Sequence, residues 1–148
     1  MATVKELLNE KGSGTNYAVE GTEPVLRALE IMSEADISSV MVTEKSKVIG
    51  IFTERDYSRK CDLNGFSAKN TPVRDLMTAQ MRTVTLDTSM DQCLKLMKEY
   101  HIRHLPVIEK DTMVGMVSLR DVADTLISDR ESTIIGLENY ILGSGFAT

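Results

Sequence analysis

The chain repeats itself, and this tandem duplication restricts its possible folds more than any other feature of the sequence. The segment Gly50–Asp56 returns 65 residues later as Gly115–Asp121. Aligning residues 17–62 with residues 82–127 without a gap gives eleven identities in 46 paired positions, where ordinary composition would give about three. A site made by one copy should therefore have a pseudo-twofold counterpart, and differences between the copies become informative.

The length of the chain limits how many cores it can bury. Its 148 residues, 42% of them hydrophobic, suffice for one good core or for two small units that share one. A single repeat of about 60 residues would be marginal alone, so the halves should pack on each other. We place repeat 1 at residues 1–65, repeat 2 at 70–129, and a C-terminal helix and tail at 130–148. Turn-forming residues at 62–72 indicate the linker.

Composition argues against several classes of protein. A net charge of −5 disfavours a nucleic-acid binder, which would normally be basic. No apolar run approaches the length of a membrane span, and the first residues lack the apolar run of a signal peptide, so we expect a cytoplasmic protein. Cys61 and Cys93 occupy non-equivalent positions of the repeat. We therefore interpret both as reduced cysteines rather than a disulfide framework or a metal site.

Both copies predict the same order: short helix, strand, long helix, strand, turn, strand, helix. In the first copy, Pro24 opens the long helix at its favoured first position, and the hairpin strands follow. The predicted long helix and strands are Val25–Ala35, Ser39–Thr43 and Val48–Phe52. In the second copy, Ser89 is the predicted helix cap. Its predicted elements are Val73–Met77, Thr83–Leu86, Ser89–Tyr100, Leu105–Ile108, Met113–Val117 and Leu119–Ile127, with an additional helix at Glu131–Leu142.

A hydroxyl and a carboxylate three residues apart stand at each predicted junction from strand to helix. These pairs are Thr53 with Asp56 and Ser118 with Asp121. Such a pair forms a capping box, which is a purely structural role. A helix N-terminus with a hydroxyl and an adjacent arginine also suits an anion, and a carboxylate there suits ribose hydroxyls. Because the pattern occurs twice in register, we favour nucleotide binding in addition to capping.

The run His101–His104 resembles a metal motif only superficially. Its residues enter a strand, where positions three apart point to opposite faces, and no cysteine or carboxylate lies at ligand spacing. We therefore expect no metal. Arg103 and His104 more plausibly bring positive charge toward a phosphate, although solvated loop residues remain the structural alternative.

The repeated unit closely resembles a cystathionine-β-synthase (CBS) domain pair, also called a Bateman module. The resemblance rests on the Gly-apolar-apolar-Thr/Ser-x-Arg-Asp motif after each hairpin and on Ile102–Val107 before the second one. It covers residues 1–142 and is strongest with small stand-alone CBS-pair proteins. It implies an α+β fold of two β-α-β-β-α repeats packed with pseudo-twofold symmetry. It also implies a homodimer that binds AMP, ADP, ATP, NAD or S-adenosylmethionine between the repeats.

The resemblance implies two sites, each of which mixes the copies. The first consists of Thr53, Arg55, Asp56, Thr83, Val84, Ile102, Arg103, His104 and Pro106. The second consists of Ser118, Arg120, Asp121, Ala18, Ile37, Ser38, Ser39 and Met41. Met41 replaces the proline of the family pattern, and two serines replace Arg103 and His104. The first site should therefore hold the more highly charged ligand.

Three classes of function are compatible with these features. The leading one is a nucleotide-sensing module that regulates a separate effector protein. A structural dimerisation unit with degenerate sites is the second, and the carboxylates kept in both copies argue against it. A nucleotide-processing enzyme is the third, and the sequence shows no nucleophile, base or metal motif to support it.

Overall fold

The computed structural model describes residues 2–11 and 17–143. These form five α-helices and five β-strands, together with one π-helical and two 3-10 segments. The α-helices are α1 (Val4–Lys11), α2 (Val25–Ala35), α3 (Glu54–Asp56), α4 (Met90–Tyr100) and α5 (Leu119–Gly143). The strands are β1 (Ala18–Glu20), β2 (Ser39–Glu44), β3 (Lys47–Thr53), β4 (His104–Glu109) and β5 (Thr112–Ser118). The remaining segments are a π-helix at Tyr57–Cys61 and 3-10 turns at Asp62–Asn64 and Val73–Asp75. No helix in these described ranges is long and apolar enough to cross a membrane.

The chain divides into two compact units. The first-repeat unit is Gly14–Thr83, and the second-repeat unit is Val84–Thr148 together with Met1–Ser13. These units cut the chain differently from the predicted boundaries at residues 1–65 and 70–129. Helix α1 lies at the start of the predicted repeat 1, but its Val4 and Leu7 are buried in the core of the second-repeat unit.

The first-repeat unit is built on a three-stranded sheet in the order β1-β2-β3. β1 is parallel to β2, and β2 pairs antiparallel with β3. The hairpin loop is only Lys45 and Ser46, whose φ values of 52° and 66° are those of a tight turn that matches the strand twist. Phe52 and Val40 are buried beside Met32 of α2. The predicted hairpin is confirmed, with the first strand one residue longer and the second strand two residues longer.

The second-repeat unit repeats the hairpin but not the third strand. β4 and β5 pair antiparallel around Lys110 and Asp111, which also have positive φ. The strand predicted at Thr83–Leu86 is wrong, because only Val84 makes a bridge there, with Val107. The amide of Thr85 instead donates to Thr88 Oγ1 at 3.1 Å. This turn follows Val84 directly, and the chain keeps only one bridged residue at this position.

The two long helices begin and end as their sequences predict, with one difference. Ser89 caps α4, and its hydroxyl accepts from the amide of Gln92 at 3.1 Å. Pro24 occupies the cap of α2 rather than its first helical position. Asp36 and His101 end α2 and α4 in the left-handed conformation, at equivalent positions of the repeat.

Helix α5 is continuous, which corrects the prediction of separate helices at Leu119–Ile127 and Glu131–Leu142. The intervening Ser128, Asp129 and Arg130 include no glycine or proline, so the backbone has no reason to stop. Ile127 and Ile134 on this helix are 53% and 55% exposed. The tail predicted after Gly143 lies outside the described residues.

The repeated glycine of the motif is explained by the segment that leads each repeat. A Cβ on Gly50 would lie 2.8 Å from the carbonyl oxygen of Thr78, and one on Gly115 would lie 2.9 Å from the methyls of Leu8. The leading segment of each repeat, which contains Leu8 in repeat 1 and Thr78 in repeat 2, therefore lies against the last strand of the other repeat. In the first-repeat unit this contact includes paired backbone bonds between Ile51 and Thr78, at 3.0 and 2.8 Å.

Candidate functional site

The predicted hydroxyl–carboxylate pair forms a complete capping box in the first-repeat unit. β3 ends at Thr53, which caps α3. The amide of Asp56 donates to Thr53 Oγ1 at 3.0 Å, and the amide of Thr53 donates to Asp56 Oδ2 at 3.0 Å. Asp56 is only 8% exposed. The carboxylate is therefore held rigidly at the junction between strand and helix.

The second-repeat unit reproduces this box almost atom for atom. The amide of Asp121 donates to Ser118 Oγ at 3.1 Å, and the amide of Ser118 donates to Asp121 Oδ2 at 3.0 Å. Asp121 is half-buried, so it is more accessible than its counterpart. The predicted capping role of both pairs is confirmed.

Each box is joined to the start of the preceding strand in its own unit. The amide of Glu54 donates to the carbonyl of Ser38 at 3.1 Å, and that of Leu119 donates to the carbonyl of Arg103 at 2.8 Å. In the strand register, Ser39 pairs with Thr53 and His104 pairs with Ser118. The structure thus brings Arg103 and His104 beside Ser118, within the second-repeat unit.

The other predicted site residues follow the same division. In the first-repeat unit, Ala18 pairs with Met41, which is 2% exposed, while Ile37 is half-buried. In the second-repeat unit, Val84 and Pro106 are buried and the Val84 amide donates to the carbonyl of Pro106 at 3.0 Å. The exposed members of the two predicted sites are Ala18, Ser38, Arg55, Thr83, Arg103 and Arg120, and Ile102 is half-buried. The predicted sites combine residues of both units, and that combination stays a prediction.

Asp56 makes two further bonds that the sequence analysis missed. Thr78 Oγ1 donates to Asp56 Oδ1 at 3.0 Å, and Lys60 Nζ forms an ion pair with the same oxygen at 2.9 Å. Lys60 also donates to the carbonyls of Leu76 and Met77 at 3.2 and 3.5 Å. This ammonium therefore ties the helical segment after β3 to the segment that precedes repeat 2.

The second copy has no equivalent of this ion pair at the same positions. The offset of 65 residues places Thr125 where Lys60 stands. At the start of the repeats, where Val4–Leu8 align with Val73–Met77 after four residues are dropped from the first loop, Asn9 stands in place of Thr78. The signal available in the sequence was the spacing of four residues between Asp56 and Lys60, since such residues are neighbours on a helical surface. Part of this segment is π-helical, a local irregularity that is frequent at functional sites.

The two cysteines lie in the interior of their units. Both are free thiols and fully buried. Burial raises the pKa of Cys93 from 9.0 to about 11. Burial, together with the charge of Asp62, also raises the pKa of Cys61. The sequence predicted reduced cysteines in packing or surface positions, and the structure places both in packing positions.

The two histidines of the His101–His104 run belong to different elements. His101 ends α4, whereas His104 begins β4. Across residues 2–11 and 17–143, no group of three His, Cys, Asp or Glu side chains is arranged to hold a metal ion.

Comparison with known proteins identifies the family. The CBS domain model matches residues 14–61 and again residues 73–128. The mitochondrial CBS domain-containing protein CBSX3 of Arabidopsis thaliana is 32% identical over 149 residues, which is 95% of this chain and 72% of that protein.

Solved structures agree with this match. A Burkholderia ambifaria protein with CBS domains, whose suggested role is signal transduction, has a TM-score of 0.84 and 37% identity, covering 86% of this chain and 96% of that one. A CBS-domain protein of Agrobacterium tumefaciens has a TM-score of 0.79 and 29% identity, covering 84% and 98%. The chain therefore belongs to the CBS-domain family and carries two CBS domains in tandem.

Proposed function

We propose that this CBS pair is a regulatory module that binds an adenine nucleotide, namely AMP, ADP, ATP or NAD, and signals its occupancy to a separate protein. S-adenosylmethionine is the alternative adenosine ligand. The observation that carries the proposal is the duplicated box, in which a hydroxyl, a carboxylate and an adjacent arginine stand at a helix N-terminus in both units.

The chemistry of each box suits a nucleoside phosphate. Two of the first three amides of each helix are already bonded within the chain, so phosphate oxygens are attracted by the positive end of the helix and by the adjacent Arg55 or Arg120. The carboxylate of Asp56 or Asp121 repels phosphate but accepts hydrogen bonds from the hydroxyls of a ribose. A ligand that carries both groups on one molecule matches both preferences.

We propose that the chain binds its ligand without converting it. Regulation fits the suggested signalling role of the Burkholderia ambifaria relative. The effector is then a separate protein, and the module acts as a homodimer, since most soluble homo-oligomers close with twofold symmetry. The exposed Ile127 and Ile134 of α5 offer apolar area for contact with a second copy or with an effector.

A structural role is the second candidate, and one observation favours it for the first-repeat unit. Both oxygens of Asp56 are engaged by the chain itself. A carboxylate with a purely structural role is expected to have both oxygens bonded within the chain in this way. Asp121 is the better residue for a test, because it is half-buried and its removal disturbs fewer of the internal bonds described above.

The test compares Asp121→Ala with Asp124→Ala, which removes an exposed carboxylate from the same helix. Purified protein is first examined by native mass spectrometry, which reports any retained nucleotide and the oligomeric state. Calorimetric titrations with AMP, ADP, ATP, NAD and S-adenosylmethionine then measure affinity. We expect Asp121→Ala to weaken binding at its site by about 1.5–3 kcal/mol through the lost charge-assisted bonds. Asp124→Ala should bind as the parent does.

Stability must be measured alongside affinity, because Asp121 also caps α5. Losing the cap should lower the melting temperature of the free protein, and a bound ligand should raise it again by mass action. Each variant is therefore compared with its own ligand-free form. If no adenine compound binds the parent protein, or if both variants bind alike, the structural role stands instead.

A further inference from the structure

The Asp56 carboxylate is mostly occupied before any ligand arrives. Its oxygens accept from the Thr53 amide and the Thr78 hydroxyl, both at 3.0 Å, and from Lys60 Nζ at 2.9 Å. A carboxylate offers about four lone-pair positions, so about one is left. A ribose presents two neighbouring hydroxyls. Holding both of them on Asp56 therefore requires one of the present donors to leave.

Lys60 is the donor that can leave most easily. The Thr53 amide belongs to the capping box, and Thr78 is held by two backbone bonds to Ile51. The Lys60 side chain is 39% exposed, and its ammonium sits on a flexible four-carbon stem. Moving it costs the ion pair and also disturbs its bonds to the carbonyls of Leu76 and Met77 and to Thr78 Oγ1, at 3.2, 3.5 and 3.3 Å. The incoming ligand must therefore supply another anion in return.

Only some adenosine compounds supply that anion. The phosphate of AMP can accept the ammonium when it leaves Asp56, and the ribose can then take the vacated positions on the carboxylate. Adenosine has the same ribose but no phosphate, so it must displace Lys60 without compensation. The sulfonium of S-adenosylmethionine is itself a cation and offers the ammonium nothing in exchange.

On the basis of the proposed function, we propose that Lys60 is a specificity-determining residue, which makes the Asp56 site selective for phosphorylated nucleosides over uncharged ones. Lys60 competes with ribose for the carboxylate and withdraws only when a phosphate replaces its partner. The Asp121 site has Thr125 at this position, so the lysine is not repeated in the second copy.

Nuclear magnetic resonance titration tests this selectivity site by site. The backbone amides of Asp56 and Asp121 lie inside their boxes and report the two sites separately. Adenosine and AMP are titrated into the parent protein, Lys60→Met and Arg59→Met. The last variant removes a positive charge from an exposed neighbouring residue, and so controls for net charge.

At the Asp56 amide, we expect the parent and Arg59→Met to prefer AMP over adenosine by roughly tenfold or more, the effect of about one charge-assisted bond. Lys60→Met should bind adenosine more tightly and AMP less tightly, so that the preference falls to about twofold. An unchanged preference in Lys60→Met overturns the proposal. A shift confined to the Asp121 amide, in both the parent and Lys60→Met, overturns it too but leaves the proposed function standing. If neither amide shifts with either ligand, the proposed function fails and this inference fails with it.

The reciprocal variant protects the test against a folding defect in Lys60→Met. Thr125→Lys places an ammonium four residues after Asp121, where helical geometry makes the two side chains neighbours. We expect adenosine binding at the Asp121 amide to weaken by roughly tenfold, with a smaller loss for AMP. Equal losses for both ligands would contradict a competition for the carboxylate.

Discussion

Replacing Leu7 with alanine should destabilise the second-repeat unit, although residue 7 lies at the start of the first repeat in the chain. Leu7 is 6% exposed in that unit's core. Its counterpart Leu76 is 5% exposed in the core of the first-repeat unit, although it lies at the start of the second repeat. The two substitutions remove the same group at nearly equal burial, so they form a matched pair with opposite expected targets.

The magnitude follows from the burial of the side chain. Truncating a buried leucine to alanine costs about 2–5 kcal/mol, from lost transfer free energy and from the cavity that remains. The burial of Leu7 supports a loss near 3 kcal/mol. Because about 1.4 kcal/mol corresponds to a factor of ten, amides that exchange through opening of this core should exchange roughly a hundredfold faster.

Native-state hydrogen exchange resolves the two units. With Leu7→Ala, the amide of Met97 in α4 should lose protection and that of Met32 in α2 should change little. With Leu76→Ala, the pattern should reverse. Glu6→Ala, at an exposed position of α1, should stay within about 0.5 kcal/mol of the parent. If Leu7→Ala lowered the protection of Met32 as much as that of Met97, the assignment of α1 to a separate core would be refuted.

Two further predictions concern other buried positions. Gly50→Ala should destabilise the fold more than Gly115→Ala. The new Cβ on residue 50 would meet the rigid backbone carbonyl oxygen of Thr78 at 2.8 Å, whereas on residue 115 it would meet the flexible side chain of Leu8 at 2.9 Å. Urea unfolding of both variants measures the two losses of stability, and equal losses would contradict this prediction. Burial raises the pKa of Cys93 from 9.0 to about 11, so its neutral thiol stabilises the folded state below pH 9 and this contribution is lost as pH rises toward 11. Cys93→Ala should therefore lose less stability over this interval than the parent does, and parallel pH profiles would show that the thiol does not contribute.

Local chemistry explains why much of the fold was predictable from sequence. The cap at Ser89, the boxes at Thr53 and Ser118, and both hairpins depend on residues a few positions apart, which a single sequence displays. Because the chain is duplicated, the boxes and the hairpins each occur twice in the sequence. By contrast, the strand expected around Val84 is reduced to a single bridge with Val107, whereas the equivalent Val19 lies in a strand of three paired residues. The amides of Glu20 and Thr85 both make a local bond to a side chain, so this local chemistry does not separate the two outcomes.

Long-range packing explains what the sequence did not disclose. The apolar pattern of Val4 and Leu7 fits either core, so nothing local indicated that α1 belongs with residues from 84 onward. The ion pair between Asp56 and Lys60 had a visible spacing, but its significance depends on the carbonyls of a segment sixteen and seventeen residues further along the chain. The sequence therefore predicted the carboxylates of the candidate site, but not the lysine that already pairs with Asp56.

The exchange of leading segments affects how this chain can fold as it emerges from a ribosome. The first-repeat unit is complete only when Thr78 has been made, so it must wait for a segment that belongs to the next repeat. Helix α1 waits far longer, because Leu8 and the strand at Gly115 are separated by 107 residues (115 minus 8). At about 10 residues per second, Leu8 has no native partner at Gly115 for about ten seconds. Its apolar face can then be bound by a holding chaperone. A cut in the linker at residues 62–72 would take Val73 and Leu76 from one core, and Val4 and Leu7 from the other.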